Sequence, residues 1–216
     1  MLSASNQIKE ALLKKFLIVS LTALFLAAVV PQPAAAGFGI KGGLALSKLT
    51  FSDATGLPPL TDLKAPMGGV FWGLNLGLFA IQPEALYVRM GARMVEGADW
   101  MEDRLDYVQI PVLLKLNVIP GPVSPMIYGG GYYSFLISAK GVANIDGTEQ
   151  SEDIKDQFTS SDYGVVFGGG IDFKLAVIKL SAEVRYNLGL ANIAKNAEPG
   201  FSVKNKSLMF LLGLSF

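Results

Sequence analysis

Ser207-Leu208-Met209-Phe210-Leu211-Leu212-Gly213-Leu214-Ser215-Phe216 is the stretch that decides the fold, and it stands at the carboxyl end of a 216-residue sequence. Every second residue from Leu208 to Phe216 is large and apolar, whereas the positions between them include serine and glycine. A period of two is the period of a β-strand whose two faces meet different surroundings. The stretch therefore predicts a strand with one fully apolar face, which fits a lipid-facing strand and also a half-buried strand of a soluble antiparallel sheet.

The first 36 residues have the composition of a secretory signal peptide. Lys9, Lys14 and Lys15 precede an uncharged, mostly apolar run over residues 16–30, and small residues at 34–36 follow it. This order of a basic region, an apolar region and an Ala-x-Ala end predicts cleavage after residue 36. A retained membrane anchor is the alternative, but the run is shorter than the roughly 20 residues that a spanning helix needs. The predicted division is a signal peptide at 1–36 and one domain at 37–216.

The composition excludes several classes of function. Basic and acidic residues number 18 each, so no excess of positive charge points to nucleic acid. The sequence contains no cysteine and no histidine, which rules out disulfides, thiolate metal sites and a histidine general base. No uncharged apolar run beyond the signal has the length of a spanning helix, so any membrane crossing must use strands.

Eight stretches of residues 37–216 alternate with the period of a strand. Seven of them have one face that is clearly more apolar than the other, and the seventh, near residues 177–191, is the clearest. In the fifth, Gly129, Gly130 and Gly131 obscure the two faces, and its orientation stays unassigned. The predicted strands lie at about 37–50, 67–76, 81–88, 104–118, 125–139, 161–174, 177–191 and 207–216.

The connections between these strands alternate in length. Those at 50–66, 95–103, 140–160 and 192–204 are predicted to be long, and those at 76–78, 119–124 and 175–176 to be short. Outer-membrane barrels show this rhythm of long external loops and short periplasmic turns, and eight strands is a number that they use. The prediction is an all-β, eight-stranded, antiparallel, transmembrane up-and-down barrel with both ends of the chain in the periplasm. A lipocalin-like barrel is the alternative that the pattern leaves open.

Three motifs carry a resemblance to a known family. Gln-Pro-Glu-Ala-Leu-Tyr at 82–87, Leu-Asp-Tyr-Val-Gln-Ile-Pro-Val-Leu-Leu-Lys at 105–115 and Glu-Val-Arg-Tyr-Asn-Leu-Gly-Leu at 183–190 resemble strand motifs of small porin-like outer-membrane β-barrel proteins, including PorT-type members. Gln109 departs from the family pattern, which has a glutamate before Ile-Pro. The resemblance implies a location in the outer membrane, contact with its lipid and recognition by the barrel-assembly machinery. That recognition would read the terminal strand through Leu208, Phe210, Leu212, Leu214 and Phe216.

The predicted alternation directs a set of polar side chains into the lumen. An eight-stranded barrel is only wide enough for its own side chains, so these groups must satisfy one another. We therefore expect a polar network that plugs the lumen of a structural or partner-binding protein, with a narrow porin-like conduit as the alternative. Inward glycines at 164, 168 and 170 would leave room for a conduit or for long side chains. The predicted lumen residues are Lys41, Gln82, Glu84, Gln109, Lys115, Asp172, Lys179, Glu183 and Arg185.

Two further features suggest chemistry but have simpler explanations. Glu84 and Glu183 form the kind of carboxylate pair that hydrolases use, yet charged residues inside a small barrel are mostly structural, and we predict no enzyme, cofactor or metal. The connection at 140–160 is acidic and would suit a cation or a basic protein partner, but it matches no calcium-loop pattern, and such loops are usually only solvated. Binding of an unidentified extracellular or periplasmic protein is the alternative to a solvated loop. The acidic residues are Asp146, Glu149, Glu152, Asp153 and Asp156.

Overall fold

A computed structural model describes residues 36–52, 60–76, 78–119, 121–175, 177–198 and 200–216. Contacts divide the chain after residue 34, and the described residues belong to the second unit. The predicted signal peptide lies outside the described residues except for Ala36, and so do residues 53–59, 77, 120, 176 and 199 of the predicted connections. Within the described ranges no helix has the length and apolarity to cross a membrane.

The described residues form nine strands and one short 3-10 helix, and every strand pairing is antiparallel. Eight of the strands close into a ring, because each pairs with the next one along the chain, β5 skips β6 to pair with β7, and β9 pairs with β1. The closing pairs run from Gly39 opposite Ser215 to Phe51 opposite Val203. The predicted eight-stranded up-and-down barrel is therefore confirmed. The elements are β1 (Ala36–Phe51), β2 (Leu63–Leu76), β3 (Phe79–Glu96), β4 (Asp99–Asn117), β5 (Val123–Ile145), β6 (Thr148–Asp153), the 3-10 helix (Lys155–Gln157), β7 (Ser161–Leu175), β8 (Ile178–Gly189) and β9 (Val203–Ser215).

The faces predicted for seven of the strands are confirmed by the burial of their side chains. In β8, for example, Glu183 and Arg185 are buried inside the ring, whereas Leu180 and Val184 are exposed on its outer surface. The same alternation runs along the other six strands, because consecutive strand residues point to opposite faces of the sheet.

Strand β5 has the orientation that the sequence left unassigned. Tyr128 and Tyr132 point inward, and the outer face at this level consists of exposed or half-buried residues. Opposite the bond between Asp106 and Tyr107 the register shifts from Ser138 to Leu136, so Ile137 is an extra residue. A bulge of this kind reverses which residues face inward, and this reversal is one reason why no single period fits the whole strand.

Two of the predicted long connections are instead hairpins. Strands β3 and β4 continue to a two-residue turn at residues 97–98, where Gly97 has a φ of 63°. Strand β5 likewise continues through most of the acidic connection to a turn at Asp146 and Gly147, whose φ angles are 52° and 77°, and β6 returns along it. Positive φ at both central residues matches the twist of the flanking strands, so the polar sequence extends the sheet beyond the ring. We call this end of the barrel the long-loop end and the other the short-turn end.

A broad apolar belt covers the outside of the ring. Every ring strand contributes large apolar side chains to this belt. Those that are at least half exposed include Ile127, Leu114, Phe167 and Leu212. Charged residues such as Lys48 interrupt the outer face only towards the long-loop end. A continuous apolar surface of this extent is unfavourable in water and matches the hydrocarbon layer of a membrane.

Candidate functional site in the barrel lumen

The lumen near the short-turn end contains a dense network of ion pairs. Lys41 on β1 contacts Glu84 at 2.7 Å and Glu183 at 3.1 Å, and Lys115 donates to Glu183 at 2.9 Å. Arg185 donates two hydrogen bonds to Glu84, at 2.7 and 3.0 Å, and a third to Glu183 at 3.1 Å. Four strands thereby meet across the interior through charge-assisted bonds, which are stronger than neutral ones.

Every carboxylate oxygen of this network accepts at least one hydrogen bond. Glu84 also accepts one from Gln82 at 2.6 Å, and Glu183 accepts one from the hydroxyl of Tyr128 at 3.1 Å. The side chains of Glu84, Glu183 and Arg185 are at most 1% exposed. Because unpaired buried charge is costly, such complete pairing is what permits these groups to lie inside the barrel.

The network holds one more positive charge than negative, since Lys41, Lys115 and Arg185 face two glutamates. Aromatic rings lie next to all three cations. The Lys41 ammonium is 4.7 Å from the centroid of the Phe71 ring. The Tyr128 ring lies 5.3 Å from the Lys115 ammonium and 5.4 Å from the Arg185 guanidinium. The negative face of an aromatic ring attracts a cation, so these rings offset part of the excess charge.

Tyrosine rings fill the space above the inward glycines. A side chain at Gly168 would lie 2.7 Å from the Tyr128 ring, and one at Gly164 would lie equally close to Tyr132. The sequence left open whether these glycines leave room for a conduit or for Glu183 and Arg185. The structure shows a third arrangement at two of them, in which Tyr128 lies against Gly168 and Tyr132 against Gly164.

A second polar layer lies on the long-loop side of the ion pairs, and we call it the neutral layer because its members, apart from Asp162, are amides and hydroxyls. Asn187 donates to Gln109 at 2.9 Å, and Gln109 donates to the hydroxyl of Ser134 at 3.2 Å. Asp162 accepts hydrogen bonds from Asn205 at 3.0 Å and Tyr132 at 3.2 Å, but no cation of the described residues pairs with it. Unpaired buried oxygens remain on four residues of this layer, namely Asp162, Asn187, Asn205 and Ser207.

The nine predicted lumen residues therefore fall into three groups. Six of them form the ion-pair network, and Gln109 belongs to the neutral layer. Asp172 and Lys179 form a separate pair at 3.4 Å near the short-turn end, where the Lys179 side chain is 27% exposed. The six residues of the network are Lys41, Gln82, Glu84, Lys115, Glu183 and Arg185.

Apolar side chains occupy the lumen towards the long-loop end. A cluster that includes Met90, Leu105, Leu136 and Met209 occupies the interior above and beside the polar layers. Ile193, from the connection between β8 and β9, is completely buried in this cluster. Its backbone accepts from Thr159 at 2.8 Å and donates to Val203 at 2.9 Å, which fixes the connection across the mouth.

Sequence reasoning missed this apolar cluster. The sequence feature that could have indicated this cluster is the presence of apolar residues in otherwise polar connections, namely Ile154, Phe158 and Ile193. Phe158 and Ala194 form a β-bridge between the two connections, and both pack against the apolar cluster. An apolar side chain in a loop stabilises the fold most when it is buried against the core, as these side chains are.

The two other predicted sets lie on the surface. The acidic residues of the 140–160 connection are exposed on the β5–β6 hairpin and the 3-10 helix, and no group of three or more acidic residues in the described chain has the geometry of a metal site. Four of the five terminal-strand residues are exposed on the apolar belt, and Leu214 is half-buried there. Recognition of this strand by the assembly machinery stays a prediction.

The sequence and the fold were compared with those of known proteins. A family profile described as "Outer membrane protein beta-barrel domain" matches residues 31–195. The neisserial surface protein NspA is similar in structure, with 16% identity over 82% of this chain and 95% of that chain and a TM-score of 0.46. Outer membrane protein W of E. coli has 12% identity over 86% of this chain and 100% of that chain, with a TM-score of 0.44. The N-terminal barrel of Pseudomonas aeruginosa OprF has 9% identity over 86% of this chain and 98% of that chain, with a TM-score of 0.41. No curated protein sequence matches the chain.

Proposed function

We propose, from the premise that this chain belongs to the outer membrane protein β-barrel domain family, that it is a sealed barrel which serves as a structural or partner-binding protein. The family lies in the cell outer membrane, and the exposed apolar belt is the surface that such a membrane requires. Long loops of this class of barrel face outward, so the long-loop end with its acidic hairpin is the surface offered to a protein partner.

The observation that carries the proposal is the presence of two different obstructions in series. The ion-pair network crosses the lumen near the short-turn end, and the apolar cluster with Ile193 fills it towards the long-loop end. An ion that crossed this barrel would have to break charge-assisted bonds and then enter an apolar layer. Both steps are costly in a medium of low dielectric constant, so the side chains act as a plug.

The geometry also favours a protein without catalytic activity. Glu84 and Glu183 would be the carboxylate pair of a hydrolase, but both are held by cations on several sides. A general acid or base needs an oxygen that reaches the substrate, and here each carboxylate oxygen already accepts a bond from the protein.

A narrow porin-like conduit is the second candidate, and the neutral layer is the observation in its favour. The four unpaired oxygens of that layer would be satisfied by water, which would then occupy the middle of the lumen. Water in this layer gives a conduit only if it connects to both ends of the barrel.

Labelling of single cysteines separates the two candidates, because the natural chain contains no cysteine. The variants Ala45→Cys and Ser134→Cys place a thiol at lumen positions that are completely buried, and Ser151→Cys places one on the exposed hairpin. A charged, membrane-impermeant thiol reagent should label Ser151→Cys fast and leave both lumen variants unlabelled until the barrel is unfolded. Fast labelling of Ser134→Cys in folded protein would contradict the seal and support the conduit.

A further inference from the structure

Four lysines form a compact group on the outer face of three adjacent strands. Lys64 lies on β2, Lys48 on β1, and Lys204 and Lys206 on β9, and the residues on either side of each are buried, so all four side chains point outward. Lys48 is directly opposite Lys206 in the antiparallel register, and Lys204 is opposite the neighbouring outward position, Thr50. Lys64 is opposite Leu46, one outward position below Lys48.

The positive charge of this lysine group is almost uncompensated within the part of the chain that the structure describes. Asp62 is the one described carboxylate within 4.0 Å of any of the four ammonium groups, at 3.9 Å from Lys48, and the side chains of that pair are 42% and 55% exposed. Like charges placed directly opposite each other destabilise a sheet. The arginines of this rim have close partners, as Arg89 has in Asp106 at 2.6 Å. The lysine group is thus complementary to an anion.

An exposed apolar surface continues from the lysine group towards the short-turn end. Along β9 the outward residues after Lys206 are Leu208, Phe210 and Leu212, and Leu212 is 71% exposed. With the rise of a β-strand, Phe210 lies about 13 Å below Lys206. A furrow on the outer face crosses β1, β9, β8 and β7 at about this depth, and its lining includes Gly42, Ala182 and Phe210. The surface therefore combines an anion site at the edge of the apolar belt with a depression within it.

We propose that the β2–β1–β9 face binds a phosphorylated lipid of the surrounding membrane. Its phosphate lies between Lys48 and Lys206, with Lys64 and Lys204 on either side, and its acyl chains follow Leu208 and Phe210 into the furrow. Lysine binds phosphate as a point charge, and basic residues at the edge of a bilayer attract anionic lipids. A free anion would leave the apolar depression unused, and a zwitterionic lipid would gain little from the lysines. This inference does not depend on whether the lumen is sealed.

Native mass spectrometry of the folded protein in detergent measures the binding directly. The full chain is titrated with phosphatidic acid and, separately, with phosphatidylcholine of the same acyl chains, and heat-modifiable gel mobility shows that each sample is folded. A contribution of about fivefold per lysine predicts that phosphatidic acid binds at least tenfold more tightly than phosphatidylcholine. The variant Lys48→Gln/Lys206→Gln should lower that preference at least tenfold, because it removes two of the four lysines, and Lys48→Arg/Lys206→Arg should retain it.

A matched variant controls for net charge. Lys174→Gln/Lys195→Gln removes two exposed lysines that lie outside the group, and it should retain the preference for phosphatidic acid. The proposal is overturned if the parent shows no preference, or if the control variant loses as much of it as Lys48→Gln/Lys206→Gln does. It is also overturned if inorganic phosphate displaces the lipid at equal concentration, because the site would then recognise a free anion and not a lipid.

Discussion

Because the lumen network holds one more cation than carboxylates, its residues should differ in how much free energy of unfolding is lost when each is substituted. Arg185→Leu removes three charge-assisted hydrogen bonds but leaves Lys41 and Lys115 to balance Glu84 and Glu183. Breaking a buried pair costs about 3–5 kcal/mol, and the restored balance puts this variant near the lower end, at about 3 kcal/mol. Glu84→Gln keeps the shape but leaves three cations with one carboxylate, so its cost should reach about 5 kcal/mol.

Lys115→Met is the mildest member of the series. It removes a single hydrogen bond to Glu183 and leaves equal numbers of cations and carboxylates. The expected loss is about 1.5 kcal/mol, the lower value for a hydrogen bond to a charged group. Arg93→Leu is the matched control on the surface, since its partly exposed pair with Glu102 should contribute less than about 1 kcal/mol.

Reversible urea unfolding from lipid vesicles, followed by the fluorescence of Trp72 and Trp100, measures the free energy of unfolding of each variant. The predicted order of loss is Glu84→Gln, then Arg185→Leu, then Lys115→Met. A cost below about 1 kcal/mol for Arg185→Leu would refute the reasoning, because the network would then be too solvated for its pairing to matter. An order in which Lys115→Met is worse than Glu84→Gln would refute the charge count.

Three other predictions follow from the lumen. Asp162→Asn should keep or raise the urea midpoint, since it removes a buried charge that has no described cation and keeps an oxygen that can accept from Asn205 and Tyr132; a large loss of stability would mean that the carboxylate is compensated. Gly168→Ala should lower the yield of heat-modifiable, folded barrel because a Cβ would meet the Val184 carbonyl oxygen and the Tyr128 ring, whereas Gly73→Ala, whose Cβ has room, should fold normally. Equal yields would argue against this close packing around Gly168. Ile193→Ser should speed the thiol labelling of an Ala45→Cys barrel by removing an apolar side chain from the mouth, and an unchanged labelling rate would show that the mouth is not the barrier.

Strand order and facing could be predicted because a barrel wall has two faces and a strand has a period of two. The clean alternation of β8 and β9 set both their existence and their orientation. Strand β5 could not be oriented because the glycines at 129–131 carry no side chain and Ile137 shifts the register. The hairpin beyond residue 140 was read as a loop, since both faces of β6 are exposed and polar and no period is visible.

The lumen was predictable as a set of inward residues but not as a set of contacts. The alternation of side chains along each strand is enough to place Glu84 and Arg185 on the inner face. Their bidentate contact depends on the register across the ring. The contacts of Tyr128 could not be predicted either, because the sequence did not show which face of its strand points inward. The buried position of Ile193 depends on how the connection between β8 and β9 folds over the long-loop end, and an alternation pattern along strands does not predict this.

Ion conductance of the refolded protein in a planar lipid bilayer tests the sealed lumen most directly. Heat-modifiable mobility confirms that the protein added to the bilayer is folded. The series of ion pairs and apolar side chains predicts a silent barrel, with no discrete current steps across the range of voltages that the bilayer tolerates. Discrete, reproducible steps from folded protein would contradict the seal, and their loss or change in an Arg185→Leu barrel would locate the open path in the lumen.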